Sequence, residues 1–548
     1  KNFLIIALFI CTLGLSAAMP PQWSEFQRDL GIQAAAFKDS PEHQIMRSRD
    51  TRSYEVGDTK TFWRWNLSVM PPTWILTPAT CRAVGEHSYI FVADSEWNVN
   101  MTQAHVDTIL VRLEDRTVND PNQGAIEMDI ELFGPIPDVL DNDPRLIVFY
   151  SALGSFQGNF FDGYFSPYNQ VTEAQAQQMN PPGHSNECEM IYMTCYPLSP
   201  VAPIRLSVLA HELQHLIHWG QDANEETWLN EGCSELAMVV YGVPDPITGF
   251  PNNPDNNLTA WNQTFADYVK VMLFFTYLKE HYDGTGMIRD LVSDPANGIA
   301  SLNQQIAIHH PQTTFGDIFA NWGVANILDA PTPGNGLYNY QYLDLPNFAK
   351  TSLNYSPYPQ GQTIQPYATD YLSYTFNNPM DNRAMISNWP IRVHAVFYDE
   401  LEFAIEVIDL GMVGIWQLLQ NTNNEHHVVY VLSNPGPNTI NYSITTVAND
   451  DQLLDSPIAF LSGNHPNPFK SATSIQYQVR ENAALSIEIF NARGQKVRTL
   501  VESHHGPGTY NGIWDGTDDK GMPAASGVYL YRLTAGTHSG SRKMILLR

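Results

Sequence analysis

The spacing of apolar residues changes along this chain, and that change limits what it can fold into. Between Pro203 and Gly220, Leu206, Leu209, Leu213, Leu216 and Ile217 recur three and four residues apart. Pro203 suits a first helical turn and Gly220 a helix stop, so this stretch reads as a helix with one buried face. A second helix is expected from Thr227 to Tyr241, and a third from about Phe265 to Tyr282, apolar nearly all round. Beyond about residue 350 the runs Arg392 to Phe397, Leu401 to Val407, His427 to Leu432 and Asn441 to Val447 read as short strands between Asn, Pro and Gly turns. Strand-like runs also precede the helices, at Tyr89 to Val92, 146 to 150 and 189 to 193, with a helical stretch from Thr102 to Leu113. The chain therefore predicts an α+β unit followed by β units.

At 548 residues, 43% of them hydrophobic and 16% charged, the chain is globular and long enough for several domains. Its 57 acidic against 29 basic residues give a formal charge of −28, which repels a phosphate backbone, and no basic cluster offsets it. Nucleic acid is thereby set aside as a partner. Lys1, the apolar run from Phe3 to Leu15 and Ser16-Ala17-Ala18 read as a signal peptide over residues 1–18. The run is shorter than the ~20 residues of a bilayer span, so a mature protein without a transmembrane segment is expected. Without Cys11, four cysteines remain, and Cys188 and Cys195 are close enough in sequence to bridge a hairpin.

The chemistry lies on the first helix. His211-Glu212-Leu213-Gln214-His215 is HExxH, and residues four apart on a helix share a face, so both imidazoles can meet one ion. A catalytic zinc takes three protein ligands and leaves a fourth position for water. His218 lies ~10 Å along the helix from His211, too far for one ion. The longer pattern HExxHxxGxxH fails, with His218 at the glycine and Gln221 at the third histidine. Glu231, in Trp228-Leu229-Asn230-Glu231-Gly232 on the next helix, is the third ligand expected, with Glu235 one turn later beside it. Glu212 would be the base. The acidic stretch Asp222 to Glu226 reads as a solvated loop ahead of that helix rather than a calcium site.

An HExxH helix followed by one bearing Asn-Glu resembles the gluzincins, the thermolysin-like zinc peptidases. With Gly163 to Pro167 and Glu189 to Tyr192, it looks more specifically like the hyicolysin family of secreted bacterial metallopeptidases. The resemblance covers about residues 55 to 345. It implies zinc on His211, His215 and Glu231, base catalysis by Glu212, and Glu235 orienting His211. Related enzymes place a tyrosine or histidine after the third ligand to stabilise the oxyanion, and Tyr268, on the third helix, is the candidate here.

Residues 464–469 (Asn-His-Pro-Asn-Pro-Phe), Asn491 to Gln495, Trp514-Asp515-Gly516, Ser526 to Tyr529 and Arg542-Lys543-Met544 closely resemble the C-terminal sorting domains of the type IX secretion system. That implies an immunoglobulin-like sandwich, the type IX secretion machinery as a partner, and a protein secreted or attached at the cell surface. The full expectation is a signal peptide (1–18), an N-terminal segment or propeptide (19–54), a thermolysin-like zinc peptidase domain (55–349), an accessory β-sandwich (350–454) and the sorting domain (455–548). The function expected is a secreted zinc endopeptidase acting on protein or peptide substrates. An aminopeptidase is the alternative, although Gly-x-Met-Glu-Asn is absent, as is a surface adhesin with a structural metal.

Overall fold

A mixed six-stranded sheet organises the first part of the chain. The computed structural model describes residues 23–38, 40–41, 53–69, 71–138, 140–156, 159–283, 286–354, 359–376, 383–401, 403–417, 426–446, 459–479, 482–491, 493–506, 508–536 and 538–547. The expected signal peptide lies outside these residues. Strands β1 (Thr59–Asn66), β2 (Thr73–Val84), β3 (Ser88–Ala93), β4 (Leu146–Ser151), β5 (Gly163–Phe165) and β6 (Met190–Thr194) lie in the order β1-β2-β3-β4-β6-β5. β3, β4 and β6 run parallel, while β5 closes the edge antiparallel to β6. Every residue of β3, β4 and β6 is buried, as continuous apolar parallel strands are when other layers cover both faces.

The covering helices are α1 (Trp23–Ala35), α2 (Gln103–Glu114), α3 (Ala125–Phe133), α4 (Pro203–Gln221), α5 (Thr227–Tyr241), α6 (Phe265–Tyr282), α7 (Met287–Val292), α8 (Gly298–His309) and α9 (Phe315–Leu328). Gly232 lets α5 and α6 approach, because a Cβ there would come within 2.3 Å of the Phe275 ring. Cys188 and Cys195 flank the extended strand β6, which at ~3.3 Å per residue separates their backbones far beyond disulfide reach. None of Cys81, Cys188, Cys195 and Cys233 forms a disulfide, and all four are buried.

Two parts of the expected fold class need correcting. The thermolysin-like α+β expectation gives way to a β-rich chain with curled sheets, whose described helices all lie within 23–35 and 103–328, apart from short turns. The middle unit is also one curled seven-stranded sheet rather than a sandwich of two. Its long strand Arg383–Tyr398 pairs with Ala404–Gln417 along one edge, and with His427–Asn434 and Ile440–Thr446 along the other. Register shifts between Ile386 and Ile391, and at Val393/His394 and Phe397/Tyr398, supply the bends that let one sheet curl.

Helix α9 packs against this sheet. Tyr371 Oη donates to the Gly323 carbonyl at 2.9 Å, and a Cβ on Gly323 would touch Ser433, Thr369 and Val431 at 3.1 to 3.2 Å. Tyr371, Val396, Val429 and Val431 belong to the same apolar core as the helices. The last part of the chain forms a three-stranded sheet (Ala459–His465, Thr473–Val479, Gly508–Trp514) and a four-stranded one (Lys496–His505, Ala483–Asn491, Gly527–Ala535, His538–Leu546). A core around Trp514, Ile487, Tyr531 and Leu533 joins them.

Candidate metal centre

Helices α4 and α5 bring three of the expected residues to one point. His211 and His215 lie one turn apart on α4, with ring centroids 4.8 Å apart and planes at 86°. The Nε2 atoms of His211 and His215 stand 3.6 and 3.7 Å from Glu231 Oε2 on α5. Ligand atoms of all three lie within 4.8 Å of one another. Two ligands at ~2.0–2.1 Å from a tetrahedral ion would sit about 3.3 Å apart, so these separations are close to those that the ion needs.

The outer nitrogens are held as well. His211 Nδ1 faces Glu235 Oε1 at 3.3 Å, and His215 Nδ1 faces Asn230 Oδ1 at 2.5 Å, with Ser234 Oγ a second neighbour at 3.0 Å. A proton on each Nδ1 leaves each Nε2 lone pair directed at the shared point. His218 stands apart: it is fully buried, and its Nδ1 meets Gln214 Nε2 at 3.1 Å.

Burial governs the electrostatics. It pushes the His211 imidazole down to about 4, and, with the charge of His211 adding to it, the His215 imidazole down to about 3. Both rings are therefore neutral, the form that binds metal, at ordinary pH. Burial holds the Glu212 carboxyl well above the carboxylate range, Glu231 and Asp162 add to this, and the Phe165 backbone N–H opposes it. Burial alone pushes Glu235 up to about 8. Glu212, Glu231 and Glu235 thus crowd a water-poor site, and among the described residues lining it the only Lys or Arg is Arg28. Two neutral imidazoles converging with the Glu231 carboxylate fit a divalent cation that takes nitrogen and oxygen ligands.

These groups line a cavity of ≈ 220 Å³. Gly163 of the edge strand β5 lies against Glu212, where a Cβ would come within 3.0 Å of Glu212 Cγ. Tyr268, on α6, lines the same cavity, with its ring edge-on to Trp261 at 4.9 Å. Burial holds its phenol well above the usual range, and the charges of Glu231, Glu235 and Glu212 add to this. The phenol is accordingly a protonated donor.

A model of the FlgD Ig-like domain matches residues 467–539, within the two-sheet C-terminal part. A comparison with curated proteins finds no match. Solved structures to which the chain is similar include dimeric latent PorU from Porphyromonas gingivalis, at 14% identity over 35% of this chain and 19% of that one, with a TM-score of 0.18. They also include PorZ, an essential surface component of the type IX secretion system of that organism, at 13% identity over 28% of this chain and 32% of that one, with a TM-score of 0.12. A third is the Parabacteroides merdae β-glucuronidase, at 9% identity over 32% of this chain and 27% of that one, with a TM-score of 0.17. The chain thus spans no more than 32% of any of the three. No helix among the described residues is long and apolar enough to cross a membrane.

Sequence reasoning left several lining residues without a role. Asn230 was noticed only as part of the motif around Glu231, although an amide oxygen beside a metal-binding helix is a usual partner for a ligand histidine. Asp245 lines the cavity, and burial, with the charges of Glu235 and Asp162, holds its carboxyl well above the normal range. Gln27, Arg28 and Gly31 reach the cavity from α1, with no local sequence signal to announce it. The stretch Asp222 to Glu226, expected to be solvated, is so only in part: Asn224 is exposed, whereas Asp222 is 8% and Glu225 3% exposed.

Proposed function

We propose that the chain is a zinc-dependent endopeptidase with a gluzincin-type ligand set, exported by type IX secretion machinery through its C-terminal Ig-like unit. The observation that carries the first part is the convergence of His211 Nε2, His215 Nε2 and Glu231 Oε2, with Glu212 alongside in the same cavity. Zinc bound there would supply Lewis acidity and a bound water of lowered pKa.

The chain's own groups account for the rest. Glu212 accepts the proton of the attacking water on its carboxylate and passes it to the leaving amine. Burial raises its proton affinity, and it acts as base in its ionised form. Glu235 and Asn230 fix the tautomer and the aim of His211 and His215. Tyr268 donates its phenolic proton toward the charge that develops on the substrate carbonyl oxygen.

The test compares the parent with Glu212→Gln for bound zinc and for casein cleavage. One zinc in each, with casein cut only by the parent, is expected. No zinc in either, or equal cleavage by both, overturns the reading. Mapping the peptide ends decides the mode of attack: internal cuts are expected, and release of single N-terminal residues alone would make it an aminopeptidase. The export assignment rests on the match of residues 467–539 to an Ig-like domain and on the motifs around it. Deleting residues 459–548 should leave the protein inside the outer membrane of a type IX-competent host, and continued export would refute the assignment.

A further inference from the structure

Helix α1 stands across the site. Gln27, Arg28 and Gly31 form part of the wall of the cavity that holds His211, His215 and Glu231. Gln27 Nε2 donates to the Phe165 carbonyl of β5 at 3.4 Å, so α1 takes an acceptor on the edge strand beside Glu212. Arg28 reaches the far side. Its Nε donates to the carbonyls of Glu225 at 2.8 Å and Asn224 at 3.1 Å, and its Nη2 donates to Asn224 at 2.9 Å. Its Nη1 is 3.8 Å from Glu25 Oε2 on the same helix. Leu30 and Ala34 anchor α1 in the core, and Trp219 Nε1 donates to the Gly31 carbonyl at 3.1 Å.

The surroundings of Arg28 favour a cation. Asp222 and Glu225 line this end of the cavity, and each keeps one carboxylate oxygen buried without a hydrogen-bond partner, Oδ2 and Oε2. Asp245 lines the cavity as well, Asp162 is already paired with Arg205, and Arg28 supplies the only lysine or arginine among the described lining residues. A buried carboxylate oxygen without a donor is costly, and a mobile guanidinium or ammonium group brought by a ligand would relieve it. Two carbonyls held in place to receive a guanidinium, with carboxylates behind them, describe a recognition site for a basic side chain.

We propose that α1 is a removable cover whose Arg28 fills the subsite for an arginine or lysine side chain of the substrate. The covered chain then hydrolyses slowly, and the uncovered chain cleaves peptides that carry basic residues at least tenfold faster. This rests on the peptidase reading above. A helix cannot itself be cut in this cleft, because its carbonyls are engaged along its own axis, so α1 can block without being consumed.

The test uses the full chain with a recognition site for a specific viral protease inserted in the 42–52 stretch. Hydrolysis of matched peptides bearing Arg or Glu is measured before and after the cut. A fluorescent 23–41 peptide, and its Arg28→Ala form, are then titrated onto the cut Glu212→Gln chain by anisotropy. Cutting is expected to raise hydrolysis of the Arg peptide at least tenfold and to leave the Glu peptide poorly cleaved. The Arg28→Ala peptide is expected to bind at least tenfold more weakly. The intact chain carrying Arg28→Ala keeps Leu30 and Ala34 in place and should already hydrolyse the Arg peptide severalfold faster than the parent. That variant keeps the proposal testable if the cut chain unfolds. Equal, measurable rates in the parent, the cut chain and the intact variant, or equal binding by both peptides, overturn the proposal while leaving the peptidase reading intact. Arg28-dependent binding with no hydrolysis of any peptide would overturn the peptidase reading alone.

Discussion

Replacing Asn230 with alanine should weaken zinc binding by about tenfold. In the structure His215 Nδ1 donates to Asn230 Oδ1 at 2.5 Å, which fixes the tautomer that aims Nε2 at Glu231. Removing such a partner costs roughly 10–100-fold in metal affinity. Ser234 Oγ, 3.0 Å from the same nitrogen, can accept that proton, because its own proton goes to Gln214 Oε1. The loss should therefore fall at the low end, about 1.4 kcal/mol. Competition of the apoprotein with a chromogenic zinc chelator measures it, and Asn230→Asp, which keeps the acceptor, should bind zinc at least as tightly as the parent. An unchanged affinity in Asn230→Ala, or an equal loss in Asn230→Asp, would refute this account of how His215 is held.

Three further perturbations read other parts of the structure. His218 is fully buried and burial pushes its imidazole down to about 3, so the folded chain leaves it neutral while the unfolded chain protonates it below about 6.5. Stability is therefore lost as pH falls from about 6.5 toward 3, and His218→Gln should recover about 2 kcal/mol of the loss between pH 7 and 5, read from urea midpoints. Arg205 Nε meets Asp162 Oδ1 at 2.9 Å with both side chains buried. Arg205→Met leaves that carboxylate without its cation and should cost about 3–5 kcal/mol in urea unfolding, part of it restored by Asp162→Asn in the double variant. Trp514 is fully buried between the two C-terminal sheets, and its Nε1 donates to the Thr517 carbonyl at 2.8 Å. Trp514→Ala should destabilise that unit by about 3–5 kcal/mol, seen as faster proteolysis after Thr446 with zinc content unchanged.

The parts of the site that lie on one helix could be read from the sequence. Spacing of four on an amphipathic helix places His211 and His215 together whatever the rest of the fold does, and Glu231 needs only the next helix to turn back. Asn230 was harder, because its role depends on the angle between α4 and α5, which brings its amide oxygen to His215 Nδ1 and which no local pattern announces. The wall formed by α1 could not be read, since Arg28 and Glu225 are joined only by the tertiary fold. Parallel pairing of β3, β4 and β6 was hidden for the same reason: an apolar run names a buried strand but not its neighbour. The curled middle sheet was mistaken for a sandwich because both give the same alternation along each strand, and only the bulges of Arg383–Tyr398 tell them apart.

The packing of α9 on the middle sheet bears on how such a chain can be rearranged. Gly323, Tyr371 and Val431 interlock so closely that a crossover between genes near residue 350 would sever one core and leave two raw apolar surfaces. A crossover just ahead of Ala459 would leave the core of the C-terminal sheets whole, because among the described residues that core draws only on residues from Ala459 onward. The helical part and the middle sheet should accordingly travel together through evolution as one heritable block. The terminal sheets could be exchanged as a unit without cutting into the core that the helices and the middle sheet share.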